Sequence, residues 1–359
     1  MAVFCYIESY KMDNKIKIEY LDIARVIVEY KGVYKVKNKK GEYLAKITGK
    51  QMFRAFSRED YPAVGDFVAI KVLDGEHATI EKILPRKTVI KRSHGDKSRT
   101  FGKNKAQIIA TNIDVAFIVE SVDRDFSLNR FERYCTLASD GGVKPVIVLN
   151  KTDLIAKEEL ETKLAEIKNR FKEIEIIKTS TVNDEGLREL KAFIEKDKTY
   201  CFLGSSGVGK SSLINKLLGK NIIKTEDISL RTDRGKHATT KREMYFLENG
   251  AIVIDNPGMR EVGMTDASAG INSLFDEITV LAKQCKFADC THINEPGCQV
   301  LQAMESGQLD AEKYSNYINL KKENEYYEMT ELEKRKKDRQ FGKFIKKTKK
   351  ELKDFRHKD

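Results

Sequence analysis

Three stretches of this 359-residue chain combine residue types and spacings that could do chemistry. The first is Gly204-Ser205-Ser206-Gly207-Val208-Gly209-Lys210-Ser211, which fits G-x-x-x-x-G-K-[ST] and continues through Ser212 into "SSLINKLLG". A strand-like "TYCFL" precedes it, so the motif stands in the strand–loop–helix context it requires. Glycines let backbone N–H groups turn inward around phosphate oxygens, and the helix start adds partial positive charge. Lys210 would bridge the β- and γ-phosphates, and the Ser211 hydroxyl would ligate Mg²⁺. Downstream, "IVIDNPG" ends an apolar run with Asp255, placed to hold that Mg²⁺ through water, and Gly258, whose N–H could meet the γ-phosphate. Between them "RGKHATTKRE" offers Thr239 and Thr240, either of which could complete the Mg²⁺ shell. Met259 follows Gly258 where many such enzymes carry a water-orienting glutamine, so slow intrinsic hydrolysis is expected. His237 is the local substitute, since imidazole can position or deprotonate water near neutral pH.

The second stretch is Asn150-Lys151-Thr152-Asp153. A carboxylate at Asp153 can accept from guanine N1–H and the exocyclic amino group, and adenine has neither donor there. A buried carboxylate left without those partners is costly, so GTP and GDP are expected ligands and an ATPase is disfavoured. Asn150 would tie this loop to the phosphate loop, the Lys151 stem would lie along the ring, and "KTS" ending at Ser180 would supply a backbone N–H to guanine O6. The base motif thus precedes the phosphate motif, a circular permutation of the usual order. Joining old termini and cutting elsewhere preserves a site when the ends lie close together.

The third stretch, "CKFADCTHINEPGC", spaces Cys285, Cys290, His292 and Cys298 as C-x4-C-x-H-x5-C. Three thiolates and one imidazole suit a closed tetrahedral Zn²⁺ site with a structural role.

Three kinds of element must position these residues. Residues 20–90 alternate at period two between turns such as "NKKG" and "LDGE", which reads as four or five strands of an OB-type or SH3-like barrel. Residues 106–265 alternate continuous apolar runs, such as "KPVIVLN", with helix-period segments such as "NRFERYCTLASD", the pattern of a doubly wound α/β domain. Ligands bind such sheets at the carboxyl ends of strands, where all the nucleotide motifs fall. Residues 266–359 look helical and charged. "GDKSRTFGKNKAQ", residues 95–107, reads as a mobile linker.

Net charge is +11, and residues 331–359 hold thirteen Lys/Arg against six Asp/Glu, which argues for a polyanionic partner. No apolar run is long enough to span a membrane, and the N-terminus lacks a secretory pattern. Cys5, Cys135 and Cys201 are scattered, so the six cysteines suggest no disulfide framework and a reducing cytoplasm is the expected setting. A monomer is expected.

A β-barrel, a permuted G domain and a C-x4-C-x-H-x5-C segment, in that order, resemble the RsgA/YjeQ family of small-ribosomal-subunit-dependent GTPases. The resemblance implies an OB-fold barrel at 20–95 after an extension at 1–19, a G domain at 96–265, and a zinc-binding domain with a basic helical tail at 266–359. It also implies GTP hydrolysis stimulated by the small subunit, a role in late subunit maturation, and rRNA contacts by the OB and zinc domains. Two departures stand out: Ala238 replaces one threonine of the family's H-T-T-T, and Asn256 replaces the Thr/Ser of D-[TS]-P-G. A rival reading is an rRNA-binding chaperone or translation regulator in which hydrolysis only times release.

Overall fold

Alternation across residues 22–83 closes a five-stranded barrel. Its strands are β1 (Asp22–Glu29), β2 (Tyr34–Lys37), β3 (Glu42–Ile47), β4 (Phe67–Val72) and β5 (His77–Ile83). In β3 the odd members, Tyr43 and Ala45, are buried and their neighbours exposed, as a half-solvated strand requires. β1 pairs with both β2 and β4, and β3 runs parallel to β5, giving the closed order β1-β2-β3-β5-β4. That parallel closure selects the OB-type barrel over the SH3-like one. A short helix, α1 (Gly49–Arg54), bridges β3 and β4 with Thr48 capping the N–H of Gln51.

In this computed structural model the described residues are 21–30, 32–93, 106–123, 126–223, 242–256, 263 and 267–330, with 332, 333, 336, 337, 339–343, 345, 346 and 348. β6 (Val89–Ser93) leaves the barrel and pairs antiparallel with β7 (Ala106–Thr111). Ala106 and Gln107, expected as the end of a linker, are therefore strand residues, because their backbone groups meet Ser93 and Arg92 across this ladder. The rest of that expected linker, like the N-terminal extension, lies outside the described residues, and so does much of the basic tail.

The α/β unit follows as β8 (Val115–Ser121), α2 (Leu128–Asp140), β9 (Lys144–Asn150), α3 (Lys157–Arg170), β10 (Ile176–Thr179), α4 (Leu187–Phe193), β11 (Thr199–Leu203), α5 (Lys210–Leu218), β12 (Glu243–Phe246) and β13 (Ile252–Asp255). The sheet order is β10-β9-β8-β11-β13-β12, with the first five parallel and β12 antiparallel to β13. Continuous apolar runs arise because both faces are covered. Val115, Phe117 and Val119 pack with Leu187 and Leu213 on one side, while Ala116 and Ile118 pack with Phe131 and Tyr134 on the other. β12 also pairs with β1, opposite Val28, so the barrel and the α/β sheet are continuous.

Helices α6 (Ser268–Leu274), α7 (Asp276–Ala282), α8 (Gln299–Glu305) and α9 (Ala311–Glu328) follow, and the described residues between 332 and 348 are helical as well. Gly270 lets α6 close on α2, since a Cβ there would sit 2.2 Å from the Thr136 carbonyl oxygen. A polar network centred on the buried Glu132 and Arg170 joins these helices to the α/β unit. Arg170 donates to Glu132 at 2.6 Å and to Asp310 at 2.7 Å, Asn316 donates to Glu132, and Arg133 grips Glu323 through two bonds of 2.9 and 2.8 Å.

Candidate nucleotide site and metal centre

The phosphate loop is shaped by what surrounds its glycines. Gly204 has φ 147, and a Cβ there would lie 2.1 Å from the Val119 carbonyl oxygen of the neighbouring strand. Gly209 has φ 98, and a Cβ there would lie 2.2 Å from Asn150 Nδ2. Only glycine fits either position. Lys210, the first residue of α5, is 6% exposed and donates through Nζ to the carbonyls of Gly204 (2.9 Å) and Ser205 (2.6 Å). Burial pulls its ammonium down to about 8, with Asp255 and Glu120 opposing. Asp255 is pushed up to about 6, again chiefly by burial, while Lys210 and the Ser211 hydroxyl pull the other way. In both groups desolvation outweighs mutual attraction, so keeping these two charges buried is electrostatically costly.

Ser211 Oγ donates to Asp255 Oδ2 at 3.3 Å, and Asp255 Oδ1 is enclosed with no hydrogen-bond partner among the described residues. A hydroxyl beside a buried carboxylate oxygen in need of a partner is a donor set suited to a hard divalent cation. The fit to Mg²⁺ rests on that observation.

The base loop begins where β9 ends. Asn150 is fully buried; Nδ2 donates to the Val208 carbonyl at 2.8 Å, and Oδ1 accepts from Thr179 Oγ1 at 3.0 Å. One side chain therefore links the loop after β9, the end of β10 and the phosphate loop. Lys151 takes a left-handed conformation (φ 60) that starts the turn Thr152–Leu154, and its Nζ reaches Asp123 at 3.0 Å. Thr152 donates to the Thr179 carbonyl at 3.2 Å. Ser180 Oγ donates to Asp153 Oδ1 at 2.5 Å. Asp153 itself is exposed, whereas the sequence argument assumed a buried carboxylate. The turn carries it to the rim of the site, so its desolvation must come from whatever covers it.

His237, Thr239, Thr240, Gly258 and Met259 lie outside the described residues. Asp123, the partner of Lys151, and Glu120, which has no exposed surface, belong to none of the sequence motifs. A charged residue closing the otherwise apolar run "VAFIVES" was the available signal for Glu120.

Cys285, Cys290, His292 and Cys298 come together with donor atoms all within 4.8 Å of one another. Cys285 and Cys298 sulfurs are 3.8 Å apart, and each lies 3.6 and 3.5 Å respectively from His292 Nδ1. A tetrahedron with metal–sulfur bonds of about 2.3 Å has sulfur–sulfur edges of about 3.8 Å. The spacing thus fits a four-coordinate ion. Cys298 also caps α8, accepting from the Leu301 N–H, and Tyr314 of α9 donates its hydroxyl to the His292 carbonyl, so the loop is braced from outside.

On the barrel, Phe53 and Phe56 are 92% and 91% exposed, on and just after α1, with Lys50, Arg54 and Arg58 close in sequence. Beside them a cleft of about 710 Å³ is lined by Thr48, Lys50, Arg54, Asp60 and Arg86 among others. Bare aromatic rings beside cations form a surface on which nucleic-acid bases can stack.

Residues 83–265 match the RsgA GTPase family. A relative from Lactiplantibacillus plantarum, Small ribosomal subunit biogenesis GTPase RsgA 2, is 41% identical over 322 residues, 89% of each chain. RsgA 1 of Bacteroides thetaiotaomicron is 38% identical over 341 residues, covering 94% of this chain and 93% of its own. Among solved structures, YjeQ from Thermotoga maritima superposes with a TM-score of 0.60 at 26% identity, over 84% of this chain and 97% of that one. YloQ, described as a circularly permuted GTPase, gives a TM-score of 0.58 at 22% identity over 88% and 99%, a likeness of fold.

Proposed function

This chain belongs to the RsgA GTPase family, a family of GTP-hydrolysing enzymes, and on that premise we propose that it acts on the small ribosomal subunit during late maturation. It binds GTP, docks on rRNA of that subunit, and hydrolyses GTP to GDP and phosphate as an assembly checkpoint. The observation that carries this reading is the Asn150 side chain, which joins a guanine-type base loop to a phosphate loop on a permuted sheet.

In this reading Asp153, steadied by Ser180, accepts from guanine N1–H and the 2-amino group and loses its water only when the base covers it. The Lys151 stem lies along the ring, with Thr152 fixing the turn, and the loop at Ser180 offers its N–H to O6. Backbone N–H groups from Gly204 to Ser212, through Ser205, Ser206, Gly207, Val208 and Gly209, surround the phosphates, and Lys210, oriented by the Gly204 and Ser205 carbonyls, reaches the β- and γ-phosphate oxygens. Ser211 and Asp255, with Thr239 or Thr240, would hold Mg²⁺, which neutralises charge on the phosphates. Gly258 donates to the γ-phosphate and His237 orients the attacking water. Water adds to the γ-phosphorus as its bond to the bridging oxygen breaks. Cys285, Cys290, His292 and Cys298 would hold one Zn²⁺, whose role is structural because four protein ligands leave no open position.

The division into an extension (1–19), an OB domain (20–95), a G domain (96–265) and a zinc domain with basic tail (266–359) belongs to the same proposal. So does a cytoplasmic monomer with no membrane partner. Phe53, Phe56 and the neighbouring cations support the rRNA contact. The test is turnover of GTP and ATP with and without purified small subunits. GTP hydrolysis that accelerates on adding subunits is expected; a preference for ATP, or indifference to subunits, would overturn the corresponding half of the proposal.

A further inference from the structure

A charge cluster outside the motifs lies against the phosphate loop. Glu120, near the end of β8, is completely buried, and its Oε2 lies 3.6 Å from Nε of Arg130 in the first turn of α2. Arg130 Nη1 donates to Ser205 Oγ at 3.2 Å, and the Tyr134 hydroxyl is hydrogen-bonded to the same side chain. Ser205 is 2% exposed, and its carbonyl is one of the two that hold Lys210. The side chain of Ser205 is thus gripped from α2 while its backbone grips the phosphate-binding lysine.

The platform behind this grip is fixed. Arg130 and Tyr134, four residues apart, share one face of α2. Glu132, Arg133 and Asp140 bond instead to Arg170 and Asn316, to Glu323, and to the Gly270 N–H. A helix held on several sides presents Arg130 from a rigid base. The guanidinium fork suits the task, since one nitrogen can face Glu120 while another reaches Ser205; a lysine has a single nitrogen for both.

We propose that Arg130 is a positioning residue for GTP hydrolysis, anchored on Glu120 and acting through Ser205 to hold the first turn of the phosphate loop and, with it, Lys210. This rests on the guanine-nucleotide reading of the site. The second half of the loop has its own tie, from Asn150 to the Val208 carbonyl. Removing Arg130 therefore loosens the first turn of the loop, whose Gly204 and Ser205 carbonyls orient the Lys210 ammonium, while leaving the half from Val208 onward tied. Small misplacements of groups that meet the reacting phosphate slow chemistry more than they weaken binding.

The experiment compares single-turnover GTP hydrolysis and fluorescent-GDP binding in the full chain and in Arg130→Ala, Arg130→Lys, Ser205→Ala and the Arg130→Ala/Ser205→Ala pair. Arg130→Ala should slow hydrolysis by about tenfold or more, with GDP affinity within about threefold of the unsubstituted protein. Arg130→Lys should not restore the rate, and the double variant should be no slower than the worse single one. An unchanged rate in Arg130→Ala, an equal loss of GDP affinity, full rescue by lysine, or losses that multiply in the pair would each overturn the proposal. Should Arg130→Ala fail to fold by circular dichroism, Arg130→Gln carries the same expectations. Failure of the unsubstituted protein to bind GDP would instead defeat the site assignment, and this proposal with it.

Discussion

Raising the pH from 7 to 9 should weaken nucleotide binding, and the size of the effect follows from Lys210. Its ammonium is lowered from 10.5 to about 8, because burial costs more than Asp255 and Glu120 return. At 1.36 kcal/mol per unit, that gap corresponds to about 3 kcal/mol of burdened charge in the nucleotide-free protein. A group with a depressed value contributes stability that is present above its ordinary value and lost as the pH falls through the folded one. At pH 7 the free protein therefore carries the cost of a buried ammonium, and bound phosphates relieve it. Above about 8 the free protein sheds this proton, so binding must take one up, and affinity falls by about tenfold between pH 7 and 9. The assay is titration with a fluorescent GDP analogue at pH 7, 8 and 9, with proton uptake measured calorimetrically in two buffers of different ionisation enthalpy. Lys210→Met should bind weakly and with a flatter pH response. Constant affinity from pH 7 to 9 in the unsubstituted protein, or affinity that rises, would refute the reasoning.

Other perturbations address the frame around the site. Glu132→Ala should lower stability to urea by about 3 kcal/mol or more, because it leaves Arg170, 7% exposed, without its closest counter-charge. Phe53→Ala and Phe56→Ala should each weaken binding to single-stranded rRNA segments by about 1–3 kcal/mol, read by fluorescence anisotropy, while subunit-independent GTP turnover stays unchanged. Cys298→Ser should abolish stoichiometric zinc on elemental analysis and lower the melting temperature, since a hydroxyl can still cap α8 but does not replace a thiolate ligand.

What the sequence made legible, and what it hid, divides by the range of the interactions. Parallel strands such as "KPVIVLN" were readable because burial on both faces leaves a continuous apolar run. The phosphate and base motifs were readable because each is a short pattern of residue types, even though the space its glycines leave is needed by Val119 and Asn150 on other elements. The barrel was narrowed only to two types, since the parallel pairing of β3 with β5 that separates them leaves no mark on either strand. Helix α2 hid most. Glu132 and Arg130 sit in "NRFERYCTLASD" as charges in a helix-period segment with nothing local to mark either as buried, yet Glu132 has no exposed surface. Its partners, Arg170 and Asn316, are 38 and 184 residues away, and only the docking of α9 buries it. The pairing of β6 with β7 was hidden in the same way, by a polar stretch that reads as a break.

The most direct trial of the account concerns the carboxylate that would read the purine. Asp153→Asn, assayed for binding and turnover of GTP, ATP and XTP, should lose GTP affinity by about a hundredfold or more and gain affinity for XTP, whose 2-oxo group can accept from the new amide. Undiminished preference for GTP in that variant would contradict the assignment of the base site and the function built on it.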